Sequence, residues 1–209
     1  MIEQEIQQIK GQLKGVTLVV ATKGRTVEEI NKTISAGITI IGENYVKEAA
    51  EKHHHLAGKV AFHLLGHLQR NKVSTAVKIF DLIQTADSLP LAQKINEECK
   101  KINKNMPVLI EVNIAKEKNK TGCAPEEVEK LAANISRLTN LRLKGLMTMG
   151  PALADAEELR PYFKEMKIIF DKLQKEYNLS MLSMGMSESY RIALEEGATR
   201  VRIGKKIFA

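Results

Sequence analysis

The sequence predicts one (β/α)8 barrel of the TIM type over residues 1–209. Three observations carry this reading. Eight short β-branched runs recur along the chain, longer segments with helical spacing of their apolar positions separate them, and no linker or composition break interrupts the alternation. A doubly wound parallel sheet is the other arrangement that such alternation permits.

Taken in order, the chain opens with a helix from Glu3 to about Lys14. The strand runs are TLVVATK from Thr17, ITIIGE from Ile38, VAFHLLG from Val60, IFDLIQTA from Ile79, PVLIEVNI from Pro107, LRLKGLMTM from Leu141, MLSMGM from Met181 and TRVRIGKKIF from Thr199. Between them TVEEINKTISA, SLPLAQKINEECKKINK, PEEVEKLAANISRL and DAEELRPYFKEMKIIFDKLQKEY repeat apolar residues at helical spacing. Thr26 ahead of Glu28 and Glu29, Ser88 ahead of a proline-containing turn, and Pro125 with Glu126 and Glu127 read as helix starts. Gly37 and Gly197 read as helix ends. Because the chain stops directly after the eighth strand, the N-terminal helix is expected to complete the outer ring.

Composition excludes several classes. Hydrophobic residues make up 44% and charged residues 27%, an ordinary globular balance rather than a disordered or fibrous one. No apolar run approaches the roughly 18–20 residues of a membrane span, and MIEQEIQQIKGQLK is too polar for a signal peptide, so a cytoplasmic protein is expected. Cys99 and Cys123 form no CxxC pair and have no histidine set beside them, so no metal site is expected, and the run His53, His54 and His55 reads as an exposed helix end. The net charge of +7 is spread along a chain with five Phe, four Tyr and no Trp. That argues against nucleic acid and suits a small anionic ligand.

In a barrel of this kind chemistry sits at the C-terminal ends of the strands. Lys23 ends the first run on the face of Val19 and Ala21, which alternation assigns to the interior. Desolvation there is expected to lower its pKa and free its amine to attack an aldehyde. On the phosphate side, SMGMSES offers the Ser183 and Ser187 hydroxyls and close backbone approach at Gly185 ahead of a helix. In VRIGKK, Arg202 and Gly204 face inward while Val201 and Ile203 face the helices. Asn44, His63, His67, Glu111 and Asn113 are further candidates, with Glu111 and His63 expected to satisfy each other in the barrel core.

The ordered set ATK, GENYVKE, FHLLGHLQRNK, EVNIAKEKNKTG, LKGLMTMG, LSMGMS and VRIGKKIF resembles the pyridoxal phosphate homeostasis family, the alanine racemase N-terminal-like proteins, over almost the whole chain. The resemblance implies a barrel that binds pyridoxal 5′-phosphate through a Schiff base to Lys23. It also implies a phosphate site around Ser183, Met184, Gly185 and Gly204, with Arg202 near the cofactor and Asn44 lining the site. Gly24-Arg25 after the lysine and Phe62 in place of a tryptophan depart from the usual pattern.

The implied role is buffering or delivery of the cofactor, with cofactor-dependent apoenzymes as the expected recipients and a monomer expected. Racemisation needs acid/base groups on both faces of the substrate α-carbon, which active fold relatives complete with a second domain. Only the barrel is present here, so a regulator without catalytic residues is expected over a racemase or decarboxylase, although Tyr45 and Tyr190 lie near strand ends. A Schiff-base aldolase acting on a sugar phosphate is the third reading.

Overall fold

The computed structural model describes residues 1–151 and 155–209. In chain order the elements are α1 (Ile2–Gln12), β1 (Thr17–Ala21), α2 (Val27–Ser35), β2 (Ile40–Glu43), α3 (Val46–Leu56), β3 (Ala61–Leu64), α4 (Val73–Ile79) and β4 (Leu82–Ala86). They continue as α5 (Leu89–Lys101), β5 (Met106–Glu111), α6 (Val128–Ile135), β6 (Leu141–Met147), α7 (Arg160–Tyr177), β7 (Met181–Ser183), α8 (Tyr190–Glu195), β8 (Arg200–Ile203) and α9 (Lys205–Phe208). The strands are parallel and close in sequence order. β8 returns to β1 through Thr17 opposite Arg200, Val19 opposite Arg202 and Val20 opposite Ile203.

Alternation along each strand divides the apolar residues between two layers. Leu18, Val20, Val201 and Ile203 join the large layer between barrel and helices, whereas Leu82, Leu109 and Met147 form a separate small cluster inside the barrel. The expected outward pair on β8 is therefore observed.

Local signals act as read at most helix ends. The Thr26 Oγ1 accepts from the Glu29 amide at 3.2 Å while Glu29 Oε2 accepts from the Thr26 amide at 2.8 Å, a reciprocal cap on α2. Gly37 and Gly197 carry φ of +82° and +86° after α2 and α8, the left-handed region that glycine enters without a Cβ penalty. Ser88 holds the N-cap position of α5 with Pro90 in the first turn, as read, although its hydroxyl donates to Asp87 Oδ1 at 2.9 Å rather than bonding to the helix.

Two boundaries are corrected. The run from Ile79 begins as the end of α4, so β4 starts only at Leu82. The run from Thr199 stops being a strand at Ile203, because the chain turns at Gly204 into α9. The chain thus does not end directly after its eighth strand. α1 packs against both α2 and α9 and fills the ring on that side.

One glycine is required by close packing. A Cβ on Gly145 would lie 1.7 Å from the Met181 carbonyl oxygen, backbone against backbone between β6 and β7, beside a register shift in the β5–β6 ladder. Gly145→Ala is expected to cost at least the upper end of the roughly 1–3 kcal/mol of overpacking. In a protein of this size that is a melting temperature lower by about 6–12 °C. A calorimetric shift below about 2 °C would show that the ladder yields easily.

Candidate functional site

A cavity of ≈ 920 Å³ opens at the C-terminal ends of the strands, within the range of about 300–1,000 Å³ usual for small-molecule sites. Its walls differ in chemistry. Lys23, Arg25, Arg202 and Lys205 contribute positive charge against one carboxylate, Glu188. Leu65, Met149, Leu159 and Met186 make an apolar wall, and Asn44, Ser187 and Ser189 supply neutral polar groups.

Five sequence candidates meet in this lining: Lys23, Asn44, Ser187, Arg202 and Gly204. Ser183, Met184 and Gly185 stand outside it. Ser183 is fully buried beneath the cavity, Met184 packs in the layer between barrel and helices, and Gly185, at φ +89°, lets the end of β7 approach α8, where a Cβ would meet that of Ala193 at 2.5 Å. The hydroxyl-bearing residues of the lining are Ser187 and Ser189, and the second was not singled out from sequence. Its signal was present in the SMGMSES run, two residues beyond Ser187.

Lys23 lies in the turn directly after β1 and is exposed, so the described residues do not supply the expected desolvation of its amine. Its place is the physical reason: it stands beyond the end of β1, in the lining of the open cavity. The turn itself is tightly held. Thr22 Oγ1 donates to Glu43 Oε1 at 2.6 Å, and Lys52 Nζ donates to the Thr22 carbonyl, Glu43 Oε1 and Glu48 Oε1, each at 2.7 Å. On the other side of Lys23, the Gly24 amide donates to Glu48 Oε1 at 2.6 Å. Burial pushes the Glu43 carboxyl up against the opposing pull of Lys52. At Glu48 burial also pushes upward, but hydrogen bonds from Lys52 and the Gly24 amide, with the charges of Lys52 and Lys23, hold the carboxyl below its ordinary value. Lys52 was not singled out from sequence. Its only local signal is that it follows Glu48 by four residues on one helix.

Below the cavity a polar chain crosses the barrel interior. Arg202 donates from Nη1 to Ser183 Oγ at 2.7 Å and from Nη2 to the Thr148 carbonyl at 2.8 Å. Ser183 Oγ donates to Gln84 Oε1 at 2.7 Å, and Gln84 Nε2 lies 3.1 Å from His63 Nδ1. With Gln84 Oε1 taken by serine, its amide nitrogen must donate, so His63 Nδ1 accepts and its proton sits on Nε2. Burial, helped by the charge of Arg200, pushes His63 down to about 3, which keeps it neutral. Burial also pushes the Arg202 guanidinium down to about 10, opposed by Glu111, and it remains a cation at neutral pH.

The expected pairing of Glu111 with His63 does not occur. Glu111 Oε1 accepts from Thr121 Oγ1 at 2.8 Å instead, its Oε2 has no partner among the described residues, and burial pushes the carboxyl up. His63 and Glu111 are separated because Gln84 stands on the intervening strand β4. Tyr190 is buried with its hydroxyl donating to Gln12 Oε1 at 2.7 Å, and Tyr45 is 60% exposed; neither lines the cavity. His53 packs edge-on against Phe62, and among the described residues no cluster of three His, Cys, Asp or Glu side chains is placed to hold a metal. Cys99 and Cys123 are buried, and burial pushes their thiols up to about 11 and about 12. Among the described residues no helix is long and apolar enough to cross a membrane.

Comparison with known proteins gives a consistent result. A protein named pyridoxal phosphate homeostasis protein from Aquifex aeolicus (strain VF5) is 39% identical over 194 residues, covering 91% of this chain and 85% of the relative. One of the same name from Pasteurella multocida (strain Pm70) is 36% identical over 213 residues, covering 99% and 91%. The structure of PipY from Synechococcus elongatus PCC7942 without PLP superposes with a TM-score of 0.94 at 30% identity over 100% of both chains. Its form with PLP bound gives 0.92 at 29% identity, again over 100% of both chains. Alanine racemase of Clostridium difficile 630, at 18% identity and a TM-score of 0.83, shares the fold across 99% of this chain and 56% of its own. The model of the alanine racemase N-terminal domain matches residues 1–209, and the chain therefore belongs to that family.

Proposed function

We propose that this protein binds pyridoxal 5′-phosphate in the cavity at the barrel mouth and serves in homeostasis of that cofactor rather than in a turnover reaction. The observation that carries the reading is the lining itself: a free primary amine at Lys23, basic groups at Arg25, Arg202 and Lys205, and an apolar wall within one cavity of ≈ 920 Å³. That donor set fits an aromatic aldehyde bearing a phosphate ester. When bound, the cofactor supplies an aldehyde that condenses with amines and a ring that stabilises a carbanion.

Each lining group has a role in this reading. Lys23 offers the amine that holds the cofactor covalently, Asn44 orients from beside it, and Leu65 and Met149 exclude water with their apolar surface. The Ser187 and Ser189 side chains, the backbone at Gly204 and the Lys205 ammonium hold the phosphate, while Met184 and Gly185 set the course of the chain at the end of β7. Ser183 acts from below by fixing the Arg202 guanidinium. The cytoplasm as its compartment, a monomeric state and delivery to cofactor-dependent apoenzymes belong to the same proposal.

The distribution of titratable groups supports a holder over a racemase. Two-base chemistry needs a positioned acid or base on each face of the substrate carbon. No tyrosine or histidine is among the described residues of the lining, and Glu188 is exposed at the rim. The test incubates the loaded protein with a panel of L-amino acids in deuterated water and follows deuterium incorporation, D-isomer and keto acid. Slow exchange without net turnover is expected. Turnover of any amino acid at about 1 s⁻¹ or faster, lost on Lys23→Ala, would establish an enzyme instead.

A further inference from the structure

We infer that Glu43, Lys52 and Glu48 are positioning residues for Lys23, acting through the backbone on either side of it; this rests on the proposed role of Lys23 as the cofactor-binding amine. The geometry is specific to that one turn. The carbonyl of Thr22 is held by Lys52 and the amide of Gly24 by Glu48, so the peptide groups flanking Lys23 are both tied to one cluster. Lys52 uses all three of its donors on that carbonyl and the two carboxylates. Glu43 closes the ring by accepting from the hydroxyl of Thr22, and it is fully buried while Lys52 is 7% exposed.

Structural need alone does not account for this arrangement. A buried ion pair contributes little net stability compared with apolar residues of similar volume, because desolvation offsets the attraction. The cluster does supply direction. Lys23 is exposed and makes no hydrogen bond of its own among the described residues, so the approach of its amine depends on where the turn points its Cα. Glu48, whose carboxyl is held below its ordinary value in part by the charge of Lys23, is a countercharge beside that turn. It stands close to a lining whose charged groups, Glu188 apart, are basic.

The experiment loads wild type, Glu43→Leu/Lys52→Met, Glu48→Ala and Glu48→Gln with pyridoxal phosphate. Each is fixed with borohydride, and the pyridoxyl group is mapped lysine by lysine, with circular dichroism and melting temperature in parallel. The double variant removes both buried charges together, which preserves folding better than removing either alone. With its fold retained, its share of label at Lys23 relative to the other lysines is expected to fall about tenfold or more, the scale on which small misplacements act. Its visible absorbance band should weaken in step. Glu48→Ala should lower the share too, and Glu48→Gln, whose amide oxygen can still accept from Gly24, should restore part of it. A folded double variant with the wild-type share at Lys23 overturns the inference. Should the double variant fail to fold, Glu48→Ala decides, and a wild-type share there overturns it equally. Wild type carrying no label at Lys23 would instead refute the binding reading on which the inference stands.

Discussion

Lys23→Ala is expected to abolish the visible absorbance of the cofactor-loaded protein and to leave no pyridoxyl group in the peptide following β1 after borohydride. Lys23 and Lys205 are the two lysines among the described residues of the cavity lining, and they sit in different settings. The Lys23 turn is held from both sides by Glu48 and Lys52, whereas Lys205 is strongly exposed and lies 3.6 Å from an equally exposed Glu188. A reactive amine needs a defined approach to the carbonyl it attacks, and orientation of that kind is a large part of such rates. The substitution touches no buried contact, so the melting temperature without cofactor should remain within about 2 °C of wild type, as for other surface changes. Peptide mapping that finds the pyridoxyl group of the wild-type protein mainly on Lys120 or Lys205 would refute the assignment.

Removing the phosphate ester should weaken binding by about two to four orders of magnitude. Hydrogen bonds to a charged group contribute roughly 1.5–3 kcal/mol each, and two of them give about 3–6 kcal/mol, at 1.4 kcal/mol per tenfold. The groups available at that side of the cavity are the Ser187 and Ser189 side chains, the Lys205 ammonium and the backbone at Gly204. Titration of the protein with pyridoxal and with its phosphate, followed by absorbance, measures the difference directly. Lys205→Met should narrow the gap without disturbing the fold, because that side chain is exposed, and added salt should narrow it as well. Equal affinities for the two ligands would remove the phosphate role from the ends of β7 and β8.

Much of the barrel is legible in the chain because its signals are periodic. Val201 and Ile203 face the helices while Arg202 faces the interior, since a strand can only alternate. The cap at Thr26 and the glycines at 37 and 197 are local in the same sense, each depending on residues a few positions away. Lys23, Asn44, Arg202 and Gly204 were accessible because residues at the ends of parallel strands converge in a closed barrel. What the chain did not display has one cause, a partner distant in sequence. Ser183 has the right residue type and lies at a strand end, yet its hydroxyl is engaged by Gln84, 99 residues away in sequence. Tyr190, read as near a strand end, opens α8, and its hydroxyl is held by Gln12, 178 residues away.

The sequence by itself determined the architecture, the strand order and the lysine at the mouth of β1, because backbone period and strand alternation are properties of neighbouring residues. Only the tertiary structure decided which polar groups are free for a ligand. A side chain's hydrogen-bonding capacity is finite, and its partners are chosen by spatial adjacency: Gln84 rather than Glu111 meets His63, and Lys52 rather than solvent meets the turn at Lys23. The exposure of Lys23 was decided in the same way: it lines the open cavity at the barrel mouth and has no hydrogen-bond partner among the described residues.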